Sequence, residues 1–342
     1  MSITKTICYC LLLSFSSAFT SCRQSVPNST KSSSSVNVTD FRGVEITLPN
    51  PAKRIVCLIE SALSGIYMLQ AENQIIGISS GVYNESTFAQ YAVLDERIKN
   101  KTLPAPGNWD FVNIESIVAL RPDLVIIWAS QTESIESIEK HGIPVYGVFL
   151  KSVNDVYKEI HDFGILTGRS QRADSLTNYT RNEINQLRST INIEEIEKKN
   201  IYFMWTQGLL ETAGTTSTVN ELIELAGAKN SCTTSQEHVV INKERLLDWN
   251  PDIIVMWYNP LKSPEDIAKL SEIQHINAIK FNQVYELPSV FLCDLWTLKF
   301  PYAVKQLAKW CYPASTEGLN MNTEKQKMLV KLYGEKGEKL TK

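Results

Sequence analysis

The side chains able to do chemistry in this sequence are dispersed where an enzyme would gather them. The four histidines, His141, His161, His238 and His275, show no metal-ligand spacing. No GxSxG, GxxxxGK, HExxH or GxGxxG motif occurs. The run TAGTTST before a helical stretch suits either an anion at a helix N-terminus or a capped turn. Aromatic and acidic groups do collect at loop positions. Trp109 lies in LPAPGNWD, Tyr83 follows IIGI and Trp205 ends IYFMW, while Asp294 and Trp296 follow VYEL and Glu60 follows the first apolar run. An indole offers a large, low-entropy face to a flat or apolar ligand. The pattern points to binding, with no catalytic residue, metal site or cofactor assigned. A metal-dependent enzyme on a two-lobed scaffold is the rival class.

The elements that position these loops repeat. RIVCLI, IIGI, LVIIW and IPVYGVF are short apolar runs of the kind buried parallel strands require, with helix-like stretches between them. IYFMW, DIIVMW and VYEL repeat the scheme. VNIESIVALRPDLVIIW (112–128) aligns without gaps on INKERLLDWNPDIIVMW (241–257) at an offset of 129 residues. Asn113/Asn242, Glu115/Glu244, Pro122/Pro251, Asp123/Asp252 and Trp128/Trp257 are identical pairs. The expected fold is therefore α/β: two open α/β lobes, residues 37–151 and 200–313, bridged by a long α-helix region over 152–199 with apolar residues at helical spacing. A helical bridge predicts limited opening of the lobes. Residues 314–342 are polar and Lys-rich and predict a solvated tail.

Residues 7–19 are a short apolar run behind Lys5, the length of a signal-peptide core and too short to span a bilayer. FTSC, ending at Cys22, resembles a bacterial lipobox, so residues 1–21 are expected to be a lipoprotein signal. Cys22 is then the lipidated residue and Ser-rich 22–36 a tether. This predicts an exported protein on the periplasmic side of the envelope, anchored to a membrane by lipid. Cys57 is expected to be a buried thiol, while Cys293 and Cys311 stand open to pairing in an oxidising compartment. With 34 basic and 37 acidic residues, a net charge of −3 gives no footprint for nucleic acid.

From Val38 to Pro313 the chain resembles the binding proteins of ABC importers for iron-siderophores, haem and vitamin B12. The resemblance rests on VTDFRGVEITLPNPAKRIVCL, NIESIVALRPDLVII with its echo in the second half, TAGTTSTVNELIELAGAKN, and YELPS followed by a Trp-containing loop. It implies a monomer holding a small-molecule metal chelate in an interlobe cleft and delivering it to an ABC permease with its ATPase subunits. A ferric siderophore is the first expectation, with cobalamin or another corrinoid, haem, or a molybdate-type oxyanion as alternatives. Trp109 matches a position where vitamin B12-binding relatives carry tryptophan. His238, its counterpart in the second half, departs from that pattern and offers hydrogen bonding in place of area. Glu115 and Glu244 match the two acidic knobs that dock on permease arginines.

Overall fold

The computed structural model describes residues 35–84, 86–192 and 197–341. The expected signal peptide, Cys22 and nearly all of the tether lie outside them. The chain begins with an antiparallel hairpin, β1 (Val36–Thr39) and β2 (Glu45–Leu48). The first half then runs β3 (Ile55–Cys57), α1 (Glu60–Met68), β4 (Ile75–Ile78), α2 (Phe88–Leu94), α3 (Glu96–Lys99), α4 (Ile114–Leu120), β5 (Leu124–Trp128), α5 (Thr132–Glu139) and β6 (Val145–Val148). Two helices follow, α6 (Val153–Thr167) and α7 (Ser170–Thr190). The second half runs β7 (Asn200–Met204), β8 (Glu211–Ala213), α8 (Thr218–Leu225), β9 (Lys229–Asn230), β10 (His238–Val240), α9 (Lys243–Trp249), β11 (Ile253–Met256), α10 (Pro264–Ala268), α11 (Asn277–Lys280) and β12 (Val284–Glu286). Helices α12 (Phe300–Cys311), α13 (Met321–Tyr333) and α14 (Glu335–Lys339) close it.

Each half builds one four-stranded parallel sheet, in the orders β4-β3-β5-β6 and β12-β11-β7-β9. These are the two open α/β lobes. The strands β3, β6 and β11 are buried along their whole length, which is why they read as unbroken apolar runs.

The internal repeat has a physical basis in caps and anchors. Asn113 and Asn242 cap α4 and α9, each side chain accepting a backbone N–H three residues on at 2.9 Å. Both helices stop at a left-handed residue just before the proline, Arg121 (φ 48°) and Asn250 (φ 40°). The following aspartates then fix the neighbouring strand. Asp123 accepts from the N–H of Lys53 and Arg54 at 2.7 and 2.9 Å, and Asp252 accepts from that of Asn200 at 2.9 Å.

The bridge is two helices, broken at Gly168, whose φ of 70° suits glycine. They fold back on each other so closely that a Cβ on Gly164 would lie 2.6 Å from that of Ala173. Helix α6 packs on β1 and α1, and α7 packs on α12. Helix α6 also touches the second lobe, through Val153 N–H to Glu221 Oε2 (2.7 Å) and an edge-to-face pair of Tyr157 and Phe300, and the lobes meet directly where Tyr91 packs edge-to-face on Phe291 at 5.9 Å. One apolar core runs through both lobes, from Ile55 and Ile126 to Phe203 and Val255.

One expectation is corrected, and one question the sequence left open is answered. Residues 314–342 are not a solvated tail. Asn320 caps α13, which buries Met328, Leu329, Leu332 and Tyr333 against the body. These four apolar residues form a one-sided stripe that the surrounding lysines disguise. Tyr333 Oη lies 2.7 Å from Ser64 Oγ, Arg172 donates to the Leu332 carbonyl at 2.8 Å, and Lys336 pairs with Glu72 at 2.6 Å. The Cys293–Cys311 bridge is also absent: Cys57, Cys232, Cys293 and Cys311 are all free and buried. Cys293 precedes α12 and Cys311 ends it, and a helix of that length holds its two ends apart. Among the described residues, no helix is long and apolar enough to cross a membrane.

Candidate functional site

Parallel sheets leave a crevice at the carboxyl ends of their strands, where loops rather than ladders decide which side chains meet. Here both sheets contribute to one cleft of about 360 Å³. The first lobe supplies Leu58, Ile59, Glu60 and Ser61 from the turn between β3 and α1, Ser79 after β4, Trp109, and Trp128 at the end of β5. The second supplies Trp257 just after β11, together with Val290, Asp294 and Trp296 from the loop between β12 and α12. A roomier hollow of about 620 Å³ beside Arg188, Asn220 and Lys229 carries no aromatic side chain and draws nothing from the first sheet.

Trp109 is held out at the rim, 68% exposed, by a tight loop. Asn108 organises that loop: its side chain accepts from the N–H of Asp110 and Phe111 and donates to Ser80 Oγ, and Gln131 donates to its carbonyl. Gly107 is required there, because an added Cβ would come within 2.5 Å of the Phe111 carbonyl oxygen. On the other wall the indoles support each other. Trp257 meets Trp296 edge-on at 6.2 Å, and Trp205 stacks on Trp296 at 6.4 Å with 7° between planes. His238 stacks in turn on Trp205 at 6.1 Å and hydrogen-bonds through Nε2 to Glu211.

Of the residues singled out from the sequence, Trp109, Trp296, Asp294 and Glu60 line the cleft. Trp205 and His238 back its aromatic wall without lining it. Tyr83 does not reach it either. A 3₁₀ turn over Ser80–Tyr83 aims its hydroxyl at the Leu103 carbonyl, 2.9 Å away, and its ring at Phe88. Ser61, in the same turn as Glu60, lines the cleft too, while Trp128, Trp257, Ser79 and Val290 are lining residues that the sequence did not single out for it. The two tryptophans carried a signal: an identical repeat pair at the ligand edge of two strands. Glu115 and Glu244 are exposed on the first turns of α4 and α9, at matching places in the repeat.

The floor of the cleft is charged but internally paired. Asp294 Oδ1 accepts from Trp296 N–H, and its Oδ2 lies 3.5 Å from Lys299 Nζ. Lys299 is fully buried, with its ammonium 3.9 Å from the centre of the Phe291 ring. Burial pushes the Asp294 carboxyl up, and Lys299 works against that rise. Deeper still, burial lifts the Glu159 carboxyl well above its usual range, and neighbouring Asp294 and Asp162 add to the effect. Burial therefore favours the neutral form of Glu159. Among the described residues no group of three or more His, Cys, Asp or Glu side chains is placed to hold a metal ion.

A two-lobed scaffold with an aromatic cleft between its sheets has the form of a protein that could hold a ligand between lobes. The chain belongs to the periplasmic binding protein family, which matches residues 55–291. It is 25% identical over 288 residues to the uncharacterized ABC transporter substrate-binding lipoprotein YvrC of Bacillus subtilis (strain 168), covering 81% of this chain and 86% of that one. It is 24% identical over 325 residues to the molybdate-binding protein MolA of Haemophilus influenzae, covering 86% and 90%. A crystal structure of a periplasmic solute binding protein from Veillonella parvula superposes with a TM-score of 0.74 at 21% identity, over 87% of this chain and 92% of that one.

Proposed function

We propose that this protein is the substrate-binding component of an ABC importer, capturing a metal chelate, a ferric siderophore first among them, and delivering it to a membrane permease. Family membership supports the transport role. The observation that carries the ligand class is the convergence of Trp109, Trp128, Trp257 and Trp296, from both lobes, on one cleft that has no lining lysine or arginine among the described residues. Indoles suit the apolar shell of a wrapped metal ion, whereas a bare oxyanion would find the hydroxyls of Ser61 and Ser79 here but no lining cation to neutralise it. Glu115 and Glu244 serve as docking points. Exposed ion pairs contribute only about 0.2–1 kcal/mol each, so their value lies in register and encounter rate. Lipid on Cys22 would keep the protein at the membrane on the periplasmic side.

The test is native mass spectrometry of the protein with a panel of ferric chelates, cobalamin, haem and molybdate, followed by tryptophan fluorescence titration of whatever binds. One chelate should bind stoichiometrically. Trp109→Ala should weaken it about tenfold or more, as loss of an aromatic anchor does, with little effect on folding because the side chain is at the rim. Full affinity in that variant, or a complex with molybdate alone, would defeat the assignment.

A further inference from the structure

The internal repeat keeps more than caps and strand anchors. Carried across the 129-residue offset, Phe111 falls on Val240, Glu115 on Glu244 and Val118 on Leu247. Each half therefore reads apolar, acid, apolar, beginning two residues ahead of the capping asparagine. Neighbouring exposed positions do not match in kind: Ser116 falls on Arg245 and Ala119 on Asp248. Packing does not account for the apolar members. Phe111 is 64% exposed and Val240 70%, Leu247 is exposed as well, and Val118 is half-buried. Nor does Phe111 line the cleft. A lone surface apolar side chain is ordinary, but a repeated one beside a repeated acid marks a contact.

The leading residues sit on backbone that is already pinned. The Phe111 carbonyl accepts from Asn108 N–H at 2.7 Å, and Val240 lies in β10, paired with β8 opposite Glu211. Within each helix the acid and the second apolar residue are three apart, which puts them on one face. These groups can meet a partner with little ordering of the backbone that carries them.

We infer that Phe111 and Val118 in the first lobe, with Val240 and Leu247 in the second, are the apolar contacts of one docking face for a permease built from two like subunits. The inference rests on the docking role proposed above for Glu115 and Glu244. A partner with two equivalent halves offers the same surface twice, which is what one triplet on both lobes calls for. A second copy of this chain, joined about a single two-fold axis, needs only one self-complementary patch. The apolar members supply an attraction that exposed ion pairs lack and that salt does not screen.

The experiment measures, by surface plasmon resonance at low and at high salt, binding of the full chain to its cognate permease–ATPase complex in nanodiscs. Phe111→Ser combined with Val240→Thr, which keeps a β-branched side chain in β10, should weaken binding about tenfold, with the loss undiminished at high salt. Glu115→Gln combined with Glu244→Gln should weaken it at low salt, by a factor that shrinks as salt rises. Thermal melting of both variants should match the parent. Parental binding by the apolar variant beside weakened binding by the glutamate variant overturns the inference and leaves the docking role standing. Parental binding by both overturns the docking role too. Self-association of the parent in sedimentation, lost in the apolar variant while permease binding persists, assigns the face to a second copy and overturns the inference. A parent chain that does not bind the complex at all overturns the transport role.

Discussion

Leu332→Ala asks whether the last helix belongs to the folded body. Leu332 is 0% exposed on α13, a segment that composition alone predicts to be solvated. Burying a leucine is worth about 1.5–3 kcal/mol, and the void left by truncation adds to the loss. The working figure is about 3 kcal/mol, within a usual span of about 2–5, or about 150-fold in the folding equilibrium. The hydrogen bond from the Arg172 guanidinium to the Leu332 carbonyl does not involve the leucine side chain and survives the substitution, so the loss reports packing. The assay is urea denaturation followed by circular dichroism and tryptophan fluorescence. Val330→Ala on the same helix, at a more exposed site, serves as control and should move stability by no more than about 0.5 kcal/mol. If both variants behave alike, or Leu332→Ala costs under about 1 kcal/mol, the packing of α13 is refuted.

Two further outcomes follow from buried titratable groups. Because burial raises the Glu159 pKa above its unfolded value, its contribution is fully present below the usual carboxylate range and is lost as pH rises through the folded value. Glu159→Gln should therefore match the parent protein in acid and melt progressively higher than it as pH rises; parallel melting curves against pH would contradict this. The four described cysteines should be unreactive to a thiol reagent in the native state and titrate as four thiols on denaturation, since burial pushes Cys293 and Cys311 up to about 12 and raises Cys57 as well. Thiols missing after denaturation would reveal a disulfide.

The α/β order was legible because parallel strands buried on both faces must be continuous apolar runs, and 54–59, 124–128 and 252–257 have no other use. The repeat was legible because a cap, a helix stop and a strand anchor each demand a particular residue, so Asn, Pro and Asp recur together. The tail was not, since four apolar side chains among many lysines give a weak stripe whose partner, α1, lies far away in sequence. Tyr83 shows a different limit: the loop after β4 coils into a 3₁₀ turn, which reverses where a side chain points without changing its place in the chain. Whether Cys293 and Cys311 pair stayed open in the sequence because spacing along a chain says nothing of distance across a helix. Trp128 and Trp257 were visible as repeat markers, but their position at the cleft depends on where each strand ends.

Helix α13 has a bearing on how a partner would sense the bound state. The chain crosses between lobes through α7, and its last helices return to pack on both α12 and α1, over a core the lobes share. Two ties and a common interior predict little freedom for the lobes to swing, and hence little ordering entropy spent on a ligand held between them. The same stiffness removes the angle between lobes as a signal of occupancy. On the docking proposed above, a permease would have to sense the mouth itself, where the Asn108-braced loop carries Trp109 within six residues of Glu115. Loading would then be announced by contact at the rim, and the body would serve as a fixed gauge that sets how far apart the two docking glutamates stand.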